Sequence, residues 1–250
     1  MIRESYYLFK RKIIGTVRQP LWVFMGLITP LLYLVFFSPL LGGVGSIKLT
    51  TAEVLSSFIP GLLALLAMGA GIGCGWDTLF DLKDGVIERF RVTPASRVSI
   101  LMGSVLHSIV MFLVPAMVVL LAALPFGFAI NAGGLAVLLL LLCLLTAIFS
   151  SWSTAMALII KEPGSFAALV NGLQLPLILL SGMLLPLSLG PKWLEITAHI
   201  NPLYYAVQAS RDLANGTLFA NSVVIAFIVL VPLTILATLW STRVHRKAIS

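Results

Sequence analysis

Charged residues are scarce in this chain. Asp, Glu, Lys and Arg make up 10% of its 250 residues, whereas about 25% is usual in soluble domains. Hydrophobic residues make up 60%. Five long stretches contain no Asp, Glu, Lys or Arg: 19–47, 54–76, 98–160, 164–191 and 213–242. These absences exclude a soluble globular domain and predict a protein that lies almost entirely in a membrane.

The lengths of these stretches predict how often the chain crosses the membrane. A helix needs roughly 20 apolar residues to cross the hydrocarbon of a bilayer. Four stretches hold one span each, and the longest breaks at Asn131-Ala-Gly-Gly134, so that it holds two. The predicted fold is all-α, one transmembrane domain over 1–250. Its six spans are expected at about 21–41, 54–76, 98–128, 135–160, 165–185 and 218–242.

Other absences limit the reactions, sites and transport mechanisms that this chain can be expected to support. The chain has no Gly-x-x-x-x-Gly-Lys-Ser/Thr loop, so we expect no ATPase site of its own. Only two cysteines occur, Cys74 and Cys143, and both fall within predicted spans, where packing is favoured over a disulfide or a metal site. Acidic and basic residues are missing at mid-span, which argues against a carrier driven by protons or sodium.

His107 is the one strong ionisable candidate within a span. An ionisable side chain at membrane depth marks a candidate path for a proton, an ion or a substrate. The alternative is a neutral histidine that is hydrogen-bonded between helices.

The net charge of +7 is explained by topology. With the N-terminus inside, six spans place thirteen of the sixteen Lys and Arg residues on the cytosolic side. Basic residues concentrate on that side of membrane proteins. We therefore predict cytosolic termini and contact with anionic lipid, and no binding to nucleic acid.

Residues 2–18 have an amphipathic helical pattern. One face is apolar and the other is largely charged, which predicts an interfacial elbow helix with its charged face toward the cytosol. The apolar face holds Ile2, Tyr6, Phe9, Ile13 and Val17, and the charged face holds Glu4, Arg11, Lys12 and Arg18. On the other side of the membrane, 186–216 is predicted to form an extracellular helical region.

Three groups of small or polar residues accompany the second, fourth and fifth spans. Glycines alternate at 69, 71, 73 and 75, a spacing that lets helices pack closely, with a hinge as the alternative. The Ser150–Thr154 cluster is expected to serve packing as well. Asn171 and Gln174 share a face of span five just before Pro176, where they either form interhelical hydrogen bonds or line a substrate path.

The inner loop 77–97 is the longest cytoplasmic segment between spans. It begins with an acidic run, Asp77, Asp81 and Asp84 with Glu88. Solvated charge and salt bridges to Lys83, Arg89 and Arg91 are favoured over acid–base chemistry, because no nucleophile or metal-binding histidine is nearby. A short helix is predicted at 86–91. Its Ile87 and Phe90 lie three residues apart on the cytosolic side, a pattern that fits a groove on another protein.

These residues resemble one known family. The segment 84–97 is similar to the loop between spans two and three in the permease subunits of type-2 ABC exporters, the group that includes the daunorubicin-resistance type. Ser181-Gly-Met-Leu-Leu-Pro186 with Pro191-Lys-Trp-Leu194 resembles the end of span five in that family. Asn201-Pro-Leu-Tyr-Tyr205 resembles the outer helical region before span six. Val86 and Ser104 depart from the family pattern and leave the substrate class open.

The resemblance implies a permease subunit of an ATP-driven exporter in the plasma membrane, such as a bacterial or archaeal inner membrane. It implies that 77–97 carries the coupling helix, with Gly85, Ile87, Glu88, Arg89 and Phe90 contacting the ATPase. The substrate expected is amphipathic: a drug, an antibiotic or a lipid-like molecule.

The implied partners are two copies of an ATP-binding-cassette ATPase and a second permease chain, identical or homologous. ATP and Mg would bind to the ATPase, and this chain would hold no cofactor. The alternative left open is a secondary carrier or channel that works without an ATPase.

Overall fold

The computed structural model describes residues 2–18, 20–42, 51–86, 96–126, 128, 131–183 and 191–249, and every regular element in them is helical. A 3₁₀ turn, Leu124–Phe126, follows the fourth α-helix. The α-helices are α1 (Ile2–Val17), α2 (Pro20–Gly42), α3 (Thr51–Lys83), α4 (Arg97–Ala123), α5 (Ala132–Ile160), α6 (Pro163–Leu179), α7 (Lys192–Ala198), α8 (Pro202–Ala214) and α9 (Asn221–Ile249).

Four described segments are long and apolar enough to cross a membrane: Phe58–Lys83 in α3, Val98–Phe126 in α4 with its 3₁₀ turn, Ala132–Ile160 in α5 and Asn221–Lys247 in α9. Their burial differs widely. In its most apolar part α3 has 72% of its residues buried, whereas α9 has 17%. Helix α3 is therefore central, and α9 lies at the periphery of the bundle.

The two other predicted spans correspond to α2 and α6. Helix α2 has 23 residues. Helix α6 is apolar but has only 17 residues, fewer than the roughly 20 that a straight span needs. It ends at Leu179 and does not reach residue 185 as predicted, because the helical hydrogen bonds break down after Pro176.

The inner end of α3 differs from the prediction. The sequence suggested that span two ends at residue 76, but α3 continues through Asp77 and Asp81 to Lys83. The next glycine is Gly85, whose φ of 66° is a left-handed conformation that favours glycine. The Gly85 N–H donates to the Leu82 carbonyl. The helix therefore ends where glycine permits the turn, and not where the charges begin.

Helix α5 packs closely on α3, and glycine makes this possible. A β-carbon at Gly71 would lie 2.6 Å from the Phe149 β-carbon, and one at Gly75 would lie 2.8 Å from the Ser153 carbonyl. A β-carbon at Gly69 or Gly73 would meet nothing within 4 Å. Close packing is thus confirmed for Gly71 and Gly75, whereas the interpretation was wrong for the other two glycines within this chain.

The serine-rich part of α5 forms hydrogen bonds with its neighbours. Ser153 Oγ donates to the Gly71 carbonyl over 2.8 Å, and Thr154 Oγ1 lies 3.2 Å from Cys74 Sγ. Ser150 Oγ lies 3.2 Å from Ser108 Oγ of α4. The predicted packing role of this cluster is confirmed, since it joins α5 to both α3 and α4.

Helix α8 lies inside the bundle and not on its surface. It packs on α3, α5 and α9. Seven of its thirteen residues are buried: Leu203, Ala206, Val207, Ala209, Ser210, Leu213 and Ala214.

Candidate functional site

Helix α1 holds both ends of the loop between α3 and α4. On the α3 side, Arg11 Nη2 lies 2.8 Å from Asp81 Oδ1, and Lys12 Nζ lies 3.9 Å from Asp81 Oδ2. On the α4 side, the backbone N–H of Ser96 donates to Glu4 Oε2 over 3.1 Å. One helix therefore fixes the points at which the loop leaves α3 and enters α4. We call these three contacts the α1 brace.

The α4 end of the brace depends on an ionised carboxylate. The backbone N–H of Ser96, and after it the Ser99 hydroxyl, hold the pKa of Glu4 below its usual value. A lowered pKa in the folded state means that the contact stabilises the fold above the ordinary glutamate pKa. The contribution is lost as the pH falls through the lowered pKa. Ser96 also caps α4, since its hydroxyl accepts from the Ser99 N–H.

The orientation of α1 corrects the prediction. A β-carbon at Gly103 of α4 would lie 2.9 Å from the Leu8 β-carbon, so α1 packs side-on against α4. Lys12 was assigned to a cytosol-facing surface, but its side chain is only 15% exposed and points toward α3. The correction concerns Lys12 alone, because Tyr6 on the predicted lipid face is 56% exposed, as that prediction requires. Lys12 turns inward because the Asp81 carboxylate lies at the end of α3, whereas Arg11 pairs with the same carboxylate and stays 46% exposed.

The acidic run has basic partners that the sequence did not predict. The sequence favoured bridges to Lys83, Arg89 and Arg91, of which the two arginines lie outside the described residues. Within the described residues, Asp81 pairs with Arg11, seventy residues away, and with Lys12. The signal was present, because the end of α3 and one face of α1 carry opposite charges at the same membrane surface. Nothing in the local spacing shows that they meet.

His107 joins three helices. Its Nε2 lies 2.9 Å from Thr16 Oγ1 of α1, and its Nδ1 lies 3.4 Å from Asp77 Oδ2 of α3. The ring is buried, with 5% exposed. These contacts extend the link between α1, α3 and α4 from the surface into the bundle. They fit the hydrogen-bonded alternative for this residue.

Of the predicted coupling residues, only Gly85 falls within the described part of the chain, where it ends α3. Ile87, Glu88, Arg89 and Phe90 lie outside the described residues. Asp81 and Ser96, which flank this segment, are both contacts of α1.

Asn171 and Gln174 lie on α6, apart from His107. Asn171 is exposed and Gln174 is half-buried. Helix α6 packs on α3 and α5, and its ring contact is between Phe166 and Trp76, with centroids 5.1 Å apart. The structure therefore separates the three candidate path residues: one lies among α1, α3 and α4, and the other two lie on α6.

The exposed faces of the helices differ in chemistry. On α4 the exposed side chains are apolar, and so are those of α9 between Val224 and Trp240. On α6 the exposed face includes Asn171 and Gly172, and on α3 it includes Gly69. Apolar faces suit lipid, whereas exposed amides and glycines suit a protein partner or a polar path.

Comparison with known proteins identifies the family. The sequence profile of the ABC-2 type transporter family matches residues 3–215, from α1 through α8. The chain belongs to the ABC-2 type transporter family. This confirms the resemblance carried by the inner loop and the two outer motifs.

Several curated relatives of this ABC-2 chain are transport permeases. A protein named transport permease ycf38 from Cyanophora paradoxa is 30% identical over 227 residues, which is 88% of this chain and 78% of the relative. Its namesake from Porphyra purpurea is 26% identical, over 87% of this chain and 76% of the relative. The daunorubicin resistance ABC transporter permease protein DrrB1 from Streptomyces coeruleorubidus is 28% identical, over 75% of this chain and 66% of the relative.

Family membership and the apolar helices make the chain a multi-pass membrane transport permease. ABC-2 permeases are transport subunits and not themselves enzymes, and they typically work with an ATP-binding subunit.

A double-mutant cycle tests the α1 brace. Arg11→Ala and Asp81→Ala should be coupled by about 0.5–1 kcal/mol, the range for a partly exposed ion pair. The side chains are 46% and 21% exposed, so water screens much of the attraction. Thermal unfolding of the purified chain in detergent measures the coupling. Lys10→Ala combined with Asp81→Ala is the matched control, and equal coupling in both cycles would contradict the assignment.

Proposed function

We propose that this chain is the membrane-spanning permease of an ATP-driven exporter. It crosses the plasma membrane six times with both ends in the cytosol, because that topology puts thirteen of its sixteen basic residues inside. It works with two copies of a separate ATPase, which bind ATP and Mg, and with a second permease chain. The chain itself holds no cofactor and has no ATPase site.

The α1 brace is the observation that carries this proposal. The loop between α3 and α4 resembles the segment on which the ATPase acts in this family. Arg11 on Asp81 and Glu4 on the Ser96 N–H tie both of its ends to one helix. A force on the loop therefore reaches α3, α4 and α1 together, so the helices move as a unit. Ile87, Glu88, Arg89 and Phe90 are the proposed contacts with the ATPase, and Gly85 lets the loop leave α3.

The path for the substrate is proposed on the face formed by α3 and α6. Gly69 and Asn171 lie exposed there and Gly73 is half-buried, whereas α4 and α9 offer apolar faces to lipid. Gln174 is half-buried one turn from Asn171. A mostly apolar path with single amides suits an amphipathic molecule such as a drug, an antibiotic or a lipid. A second permease chain would close this face from the other side.

The test is to purify the tagged chain from its native membrane in mild detergent, together with its untagged partners. We expect an ATP-binding subunit to co-purify. Inside-out vesicles that contain the complex should take up daunorubicin, a fluorescent amphipathic probe suggested by one relative, only with ATP and Mg. Purified alone, the chain should hydrolyse no ATP.

Two results would contradict the proposal. One is uptake that proceeds without ATP and follows a proton or sodium gradient, which would favour the carrier alternative. The other is the absence of any ATP-binding subunit from the purified complex and from cross-linked membranes.

A further inference from the structure

The outer end of α6 is broken. The Leu180 N–H donates to the Pro176 carbonyl, but the Ser181 N–H turns back to Ile178 over 3.2 Å. In an uninterrupted helix the Ser181 N–H would donate to Leu177. The Leu177 carbonyl thus loses its helical donor, and at Gly182 the chain adopts a φ of 69°. The carbonyls after this point need donors from another element.

Two side chains at opposite ends of α8 supply these donors. Asn201 Nδ2 donates to the Leu177 carbonyl over 2.7 Å. Arg211 Nη2 donates to the Gly182 carbonyl over 2.8 Å and to the Met183 carbonyl over 3.2 Å. The two donors are ten positions apart, which corresponds to about 15 Å along the helix axis. Helix α8 therefore grips the broken end of α6 at two well-separated points.

Met183 connects this contact to α3. Its side chain is 5% exposed, and a β-carbon at Gly61 would lie 2.7 Å from Met183 Cγ. Three elements thus meet at the outer end of the bundle: the broken end of α6, helix α8 and Gly61 of α3.

The two sides of α8 are held in different ways. Toward the core and α9 it packs with a largely buried apolar face, and Ser222 Oγ donates to Asp212 Oδ2. Toward α6, helix α8 makes few contacts within the described residues. The hydrogen bonds from the Asn201 and Arg211 side chains connect α8 to the end of α6. Amide, guanidinium and carbonyl groups regain hydrogen bonds with water when they part, whereas a packed apolar face does not.

We propose that Asn201 and Arg211 form an outer latch, which keeps the broken end of α6 closed on α8 and α3 between transport steps. Outward release of substrate breaks the bonds to α6 while α8 stays on α9. This inference rests on the proposed export function. Both residues are positioning residues, because they act by holding α6 and not by touching the substrate.

The first test measures closure without transport. Met183→Cys is placed in a full-length chain that carries Cys74→Ala and Cys143→Ala, and a membrane-impermeant maleimide is applied from the outer side. Arg211→Gln should raise the labelling rate about tenfold, equivalent to about 1.4 kcal/mol and close to one hydrogen bond to a charged group. Arg211→Lys keeps the charge but presents a different donor. Its labelling rate should lie between those of the parent and of Arg211→Gln.

Lys192→Gln is the matched control, since it removes an outer positive charge on exposed α7. It should leave the labelling rate unchanged. Equal rates in the parent and in Arg211→Gln would overturn the latch. Equal increases in Arg211→Gln and Lys192→Gln would overturn it too, because the effect would then follow charge alone.

A second test does not depend on the folding of Arg211 variants. A β-carbon at Gly61 lies 3.5 Å from the Met183 β-carbon, within disulfide range. Gly61→Cys with Met183→Cys, oxidised in the assembled complex, should lower ATP turnover about tenfold. Reduction should restore it. Turnover that is unaffected by complete cross-linking would overturn the requirement for opening.

The two hypotheses fail separately. If the labelling rate rises in Arg211→Gln but no ATP-binding subunit joins the chain, the proposed export function fails and the closure by Arg211 stands. If the complex transports with ATP while labelling and cross-linking have no effect, the latch fails and the function stands.

Discussion

Gly71→Ala should destabilise the isolated chain by about 1–3 kcal/mol, the usual cost of forcing extra volume into a packed interface. The added methyl group would lie 2.6 Å from the Phe149 β-carbon and 2.8 Å from the Thr146 carbonyl oxygen. Neither atom is the far end of a flexible side chain, so α3 and α5 must separate. Separation would also disturb the bond from Ser153 to the Gly71 carbonyl. Thermal unfolding in detergent, followed by the helical circular dichroism signal, measures the loss.

Gly73→Ala is the matched control, two residues along the same helix. A β-carbon at Gly73 meets nothing within 4 Å, so stability should stay unchanged or rise slightly. Equal losses in the two variants would contradict the packing assignment.

Gly73→Leu tests the substrate path proposed on α3 and α6. We expect it to leave the isolated chain stable and to block ATP-driven uptake, since a second chain or a substrate occupies that face only in the assembly.

Phe90→Ala should weaken binding of the ATP-binding subunit by about 30-fold, equivalent to about 2 kcal/mol. The phenyl ring is the largest apolar side chain of the proposed coupling segment, and an aromatic anchor in a partner's pocket is typical of such contacts. The chain itself should remain folded and membrane-inserted, because the assignment gives Phe90 no role in any span. Recovery of the complex, ATP turnover and uptake by vesicles together measure the effect.

Phe80→Ala provides the matched control for this prediction. Phe80 lies near the inner end of α3 and is 56% exposed, so its removal also deletes an exposed ring close to the loop. It should leave affinity for the ATP-binding subunit unchanged. If Phe90→Ala retains recovery, turnover and uptake at parent levels, then Phe90 does not contact the ATPase and the coupling assignment fails.

The sequence by itself determined the class of the protein. Long stretches without charge indicate segments in lipid, and stretches of about 20 apolar residues fit helices, in which each backbone polar group finds its partner within the segment. The resemblance of the inner loop at 84–97 and of the two outer motifs, at 181–194 and from Asn201, was enough to predict the ABC-2 family. These signals are local: composition indicates the spans, and the resemblance to the family lies in short motifs, each within one helix or loop.

Tertiary structure decided which residues meet. Spacing placed Gly69, Gly71, Gly73 and Gly75 together, but only the rotation of α3 against α5 distinguished the packed pair from the open pair. A helical pattern defines faces and leaves open which neighbour each face will meet.

The same limit explains the charged and polar contacts. Arg11 pairs with Asp81, which is seventy residues away in the sequence. Arg211 donates to carbonyls that lack helical donors because α6 breaks after Pro176. Such partners are brought together by the packing of distant helices. Their energies depend on distances of a few ångströms that no local sequence signal records.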